Sequence, residues 1–302
     1  MSAAEGVGLK QKNYKIIYMI NYSKLVLGGL LLLILVQSCK VKNVYTAGDS
    51  FGSPGLMKLR DSILQEALDG EALYTILGDI KPMSSVAAFS FPIANPDSAK
   101  RPASNLLFKD SLYHLKRIER LQNAVNLIKL PDLKCVFIPY RNAYARTRTL
   151  QLSVVRVSRL DSLLEVQSSF FGQYGFTAGA DPAVVVTVNE YEKKYQRLRG
   201  YGYLFGYPDY AIDFFVRAFH QSDSTGVHVK RNFFQIPTYA RAEGNFVSAY
   251  PKEYTPTETD SLIYRRSAVV LKKYRHLRGK YMNSDSTIRS YELIQDVLKS
   301  KI

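Results

Sequence analysis

Apolar residues recur along most of the chain at the 3.6-residue period of a helix with one buried face. Leu56, Leu59, Ile63, Leu64, Ala67 and Leu68 fit one amphipathic helix beginning near Leu56, followed by a shorter one over Glu71–Leu77 that stops at Gly78. A long helix is predicted over Leu106–Ile128, with Leu112, Leu115, Ile118, Leu121, Val125 and Ile128 as its stripe. Further helical patterns cover Leu160–Phe171, Asp181 to about Leu198, Pro208 onward, Thr257 to about Arg278, and Ser286–Leu298. Asp181-Pro182 places a capping residue before a first-turn proline. Thr257 followed by Asp260 has the spacing of a capping box. Strands are fewer and shorter: Val86–Ile93, Leu133–Tyr140, Thr149–Val157, Phe233–Tyr239 and Asn245–Tyr250. Thr149–Val157 alternates, with Gln151 and Arg156 between apolar neighbours. No repeat of solenoid length recurs. The expectation is one helix-rich α+β domain with a few short strands, spanning 56–302.

The N-terminus departs from that pattern. From Leu25 to Val36 every residue is apolar or glycine, a run of 12. At about 1.5 Å per residue this is roughly 18 Å of helix, short of a bilayer core of about 30 Å. It suits the apolar region of a secretory signal, with Lys10, Lys12, Lys15 and Lys24 as its positive flank. Met19 offers a tidier start for such a signal.

Val36-Gln37-Ser38-Cys39 resembles the lipobox of bacterial lipoproteins, and the leucine run into Ser-Cys is similar to lipoproteins of the Bacteroidota. Gln37 is a less usual middle residue for that motif. The resemblance implies a signal over 1–38, lipid attachment at Cys39, and a membrane anchor in the cell envelope facing the periplasm. Acyl chains contribute about 0.8 kcal/mol per buried CH₂, enough for stable anchoring when two or more are present. Residues 39–55 then read as a Gly- and Ser-rich tether. Lys40-Val41-Lys42-Asn43 lacks the acidic run of surface-exported members.

Charge changes meaning in that setting. The 302 residues carry 41 Lys+Arg against 26 Asp+Glu, a net +15. Four lysines and one glutamate precede Cys39, so a cleaved chain keeps +12. Basic residues gather at Arg141–Arg159, at Lys193–Arg199 and at Arg265–Lys280. An exported protein seldom meets nucleic acid, so no nucleic-acid partner is expected. The same field reads mainly as solvated surface, with anionic lipid headgroups or envelope polymers as candidate partners. In the third cluster, cations in the last half of a helix also oppose its macrodipole.

Candidate chemistry is sparse. Gly48-Asp49-Ser50-Phe51 matches the first block of GDS-type serine esterases, but no Asp-x-x-His follows to supply the base. The block also lies in the tether. Gly200-Tyr201-Gly202-Tyr203-Leu204-Phe205-Gly206 is one residue off the dinucleotide fingerprint and follows a helix rather than a strand, so it reads as a connection between helices. Its aromatic residues Tyr201, Tyr203, Phe205, Tyr207 and Tyr210 are candidates for a ligand groove or a packed corner. Cys135, in an apolar run without a nearby histidine, reads as buried and inert. Two cysteines and four dispersed histidines give no metal spacing, and no cofactor or catalytic set is assigned. The leading expectation is a lipid-anchored envelope protein that binds or scaffolds. The alternative is an envelope hydrolase with a dispersed site around Lys81, Asp213, His228 or Arg241.

Overall fold

Strand β3 (Thr147–Arg156) is the centre of the molecule, paired antiparallel with β1 (Met83–Pro92) on one side and β2 (Leu133–Pro139) on the other. The structure, a computed structural model, describes residues 52–92, 108–143, 147–243 and 246–300. The lipobox-like segment with Cys39 and the Gly48–Phe51 block lie outside the described residues.

Register runs from Met83 opposite Val155 to Pro92 opposite Thr147, with an irregularity between Ser85 and Ala87. On the other edge Leu133 faces Arg156 and Pro139 faces Leu150. Residues 151–156 are all buried, so this part of β3 is covered on both faces, its alternating polar residues included. On one face Phe89, Leu152 and Val154 pack against helices α1 (Pro54–Asp69), α2 (Leu73–Ile76), α3 (Phe108–Asn126), α9 (Glu258–Arg278) and α10 (Ser290–Lys299). On the other face Met83, Val136, Ile138 and Val155 meet α4 (Val157–Val166), α5 (Ser168–Phe171), α6 (Pro182–Tyr191) and α7 (Lys194–Leu204). Helix α8 (Asp209–Thr225) covers a separate antiparallel pair, β4 (Arg231–Gln235) and β5 (Val247–Pro251), through Phe214, Ala218 and Ala249. The fold is α+β, helix-rich, and among the described residues the strands form two small antiparallel sheets. Among the described residues no helix is long and apolar enough to cross a membrane.

Burying the polar residues of β3 requires partners. Gln151 accepts from the Tyr140 hydroxyl at 2.7 Å and donates to the carbonyls of Ala87 and Leu152. Arg156 donates from Nε to the Thr75 carbonyl and from Nη2 to the Ile76 carbonyl, satisfying the C-terminal end of α2. Its Nη1 pairs with Asp132 at 2.9 Å. That buried arginine therefore joins the sheet to the helical layer.

Several boundaries differ from the periodic pattern. Helix α1 starts at Pro54, with the Ser53 hydroxyl accepting from the Leu56 N–H, so two residues assigned to the tether belong to a helix start. The single helix expected from Asp181 to Leu198 is two helices, because Glu192 and Lys193 take extended backbone. The second continues through Gly200 rather than stopping there. A Cβ on Gly200 would lie 1.7 Å from Asn189 Oδ1, and one on Gly202 2.7 Å from Ile212 Cγ1. Both glycines thus serve close helix packing, and the left-handed turn falls to Gly206 at φ +71°. The helix expected over Leu160–Phe171 begins at Val157 and breaks at Gln167. The last helix starts at Ser290 because residues 282–288 form a turn with a Met282–Ile288 bridge.

Candidate functional site

The aromatic run at the α7–α8 connection is drawn into three different environments. Tyr201 donates its hydroxyl to Glu190 Oε2 at 2.7 Å and stacks on Phe205 at 5.6 Å. Phe205 contacts Tyr207, which stacks on Phe246 at 6.1 Å. These three rings therefore share one cluster. Tyr203, against the same core cluster as Tyr201 and Phe205, lies edge-on to Phe170 at 5.3 Å and accepts from Arg199. Tyr210 stacks on Tyr254 at 4.6 Å and donates to Asp260. All five rings are half-buried. Burial, then the Glu190 carboxylate, pushes the Tyr201 hydroxyl well above its ordinary range, and burial does the same for Tyr207. Both stay neutral donors.

Lys81 lies behind this cluster. It is fully buried, bonded through Nζ to Glu71 Oε2 at 2.8 Å, with the Phe246 ring centroid at 4.3 Å and that of Phe205 at 5.3 Å. Burial lowers its pKa, opposed by Glu71. Asp213 pairs with Arg199 at 2.6 Å rather than with Arg217 one turn away. His228 is exposed in the connection between α8 and β4. Arg241 stands at the rim of a cleft described next. No hydrogen bond or ion pair joins any two of these four side chains among the described residues.

Cys135, on β2, faces the sheet side covered by α1 and borders an apolar void of about 10 Å³. Burial pushes its thiol up to about 12, so it is protonated at neutral pH and a poor nucleophile. Among the described residues no group of three or more His, Cys, Asp or Glu side chains is placed to hold a metal ion.

A cleft of about 480 Å³ opens between α9 and the segment 236–242. Buried Tyr74, Ile236, Thr238 and Leu271 lie at its base. Arg241 stands on one wall, Lys272 and Arg275 on the other, all exposed. No carboxylate lines it, and none of these three cations makes an ion pair with a described residue. Tyr239 and Tyr264, 40% and 45% exposed, flank the opening.

The walls are held in place. The 236–242 segment takes its bonds from the body: Tyr74 donates its hydroxyl to the Pro237 carbonyl, and the Ala240 N–H donates to the Asp69 carbonyl at 2.9 Å. The Asp69 carboxylate in turn accepts from Tyr274 at 2.6 Å and pairs with Arg278 at 3.1 Å, both on α9. One residue at the end of α1 thus ties both walls. The Tyr239 ring is fixed between Arg278, 4.3 Å over its face, and the edge of Tyr274.

The sequence placed Lys272 and Arg275 within a basic cluster but gave no sign that they share a cleft with Arg241 and three tyrosines. The only local signals were small residues, Ala240, Ala242 and Ala268, which leave the space open. Comparisons with protein-family models, curated protein sequences and solved structures found no match to this chain.

Proposed function

We propose that this chain is a lipid-anchored cell-envelope protein, tied to the membrane through Cys39, whose α+β body binds or scaffolds an anionic partner. The observation that carries the binding half is the cleft, where three cations converge without a carboxylate among the lining residues. A surface that only needed solubility would intersperse both signs. Elsewhere in this protein arginines do meet carboxylates, as at Arg156–Asp132, Arg199–Asp213 and Arg278–Asp69. The anchoring half rests on the lipobox-like Val36–Cys39 and the apolar run before it. With acyl chains on Cys39, the cationic body works beside a lipid surface, where anionic headgroups and polymers are the abundant counter-charges.

The test for the anchor is Cys39→Ala followed by membrane fractionation and metabolic lipid labelling. Loss of the label and of detergent-phase partitioning is the expected outcome. Unchanged labelling would overturn it.

A further inference from the structure

The geometry points to a discrete site for a phosphate monoester, carried on a sugar or on a lipid headgroup, in the cleft between α9 and residues 236–242. This deepens the binding reading above and rests on it. The charge count selects the ligand. A single carboxylate would neutralise one of Arg241, Lys272 and Arg275, leaving two like charges in the cleft unanswered. A phosphate monoester carries about −1.5 to −2 charges at pH 7 and three acceptor oxygens, so it can answer cations on both walls. Arginine supplies a planar fork that matches such oxygens in pairs, and lysine a point charge.

The remaining volume specifies what the phosphate is attached to. About 480 Å³ is far more than one phosphate fills and lies within the range of small-molecule sites. Tyr239 and Tyr264 present rings and hydroxyls at the mouth. Such side chains give flat apolar contact with polar tips, which fits the mixed surface of a sugar or glycerol unit. The site is also preorganised, because Asp69 fixes both walls before any ligand arrives. Binding then has to order the exposed side chains of Arg241, Lys272 and Arg275 but not the walls that carry them.

The test is calorimetric titration of the full chain in detergent with inorganic phosphate, glucose 6-phosphate and glucose. It is run beside flotation on phosphatidylcholine vesicles with and without phosphatidic acid. Glucose 6-phosphate is expected to bind and glucose to give no heat, with affinity falling as salt rises. Lys272→Ala and Arg275→Ala should each weaken binding roughly tenfold or more, since each removes charge-assisted contacts to the anion. Arg275→Lys should retain part of it. A phosphatidic-acid-dependent gain in flotation that Arg275→Ala abolishes, without glucose 6-phosphate binding, assigns the phosphate to a lipid headgroup and supports the site. Absence of binding in both phosphate arms, or binding untouched by all the alanine variants, overturns it. Failure of the anchor is read separately, because membrane retention of Cys39→Ala does not alter the phosphate titration.

Discussion

The aromatic corner at 201–210 and the cleft between α9 and residues 236–242 are built from the same residue types, tyrosines with arginine and lysine, yet one is closed and the other open. In the corner Lys81 is paired with Glu71 and Arg199 with Asp213. The tyrosine hydroxyls there find acceptors too, Tyr201 on Glu190 and Tyr210 on Asp260. In the cleft, Arg241, Lys272 and Arg275 line the walls with no carboxylate between them. A polar network that is satisfied internally stabilises the fold and has little left to offer a ligand. A set of like charges held apart by a fixed frame has that capacity intact. Composition alone does not separate the two cases; the carboxylates do.

The contrast breaks most sharply at Glu71. Glu71→Ala strands a buried ammonium and should cost about 3–5 kcal/mol, measured by urea unfolding. Replacing the pair together, as Glu71→Gln with Lys81→Met, should recover most of that loss. A single-variant cost under about 1 kcal/mol would show that Lys81 is not held by its carboxylate.

Next comes close packing at the corner. Gly200→Ala drives a Cβ to 1.7 Å from Asn189 Oδ1, so Asn189 or the helix must move. The expected loss is about 1–3 kcal/mol, or a fall of about 2–4 °C in Tm per kcal/mol for a chain of this size. An unchanged or raised Tm would mean that α6 and α7 adjust without strain.

Asp260 is a smaller and pH-dependent case. It is buried, which opposes ionisation, yet hydrogen bonds from Tyr210, the Thr257 N–H, Tyr254 and the Thr257 hydroxyl together hold its pKa below the usual carboxylate value. A lowered folded-state pKa contributes stability that is present above the unfolded value and lost as pH falls through the folded one. Asp260→Asn should therefore cost about 1–2 kcal/mol at pH 7, through the weakened capping box and tyrosine contacts. The difference from the parent should shrink at pH values below about 4, and a gap that stays constant in acid would assign the effect to packing.

The smallest stability effect belongs to the cleft. Arg275→Ala should change unfolding free energy by no more than about 0.5 kcal/mol, because the side chain is exposed and pairs with no carboxylate among the described residues. A cost comparable to that of Glu71→Ala would make the cleft a structural network like the corner and erase the contrast.

Much of the scaffold was legible in the residue pattern. The α1 stripe from Leu56 to Leu68 is buried as its spacing requires, and the Thr257–Asp260 capping box forms. Both depend on neighbours within a few positions, where backbone geometry dictates who meets whom. Cys135 packs against the core as its apolar run suggested, but is partly rather than fully buried. Glycine was harder to interpret. The pattern made Gly200 a helix stop and the GxGxxxG segment a turn, whereas two of its three glycines serve packing against the helices before and after. The polar positions that alternate in β3, Gln151 and Arg156, are buried because helices cover both faces of the sheet.

What the sequence determined by itself is the helix-rich α+β character and the main amphipathic faces, which are local in chain distance. Which charges are answered and which are left open was decided only by the tertiary structure. Asp69 lies 205 residues from Tyr274 and 209 from Arg278, yet it sets the frame of the cleft. Electrostatic partnership depends on separation in space, and over such spans the order of residues along the chain carries no distance.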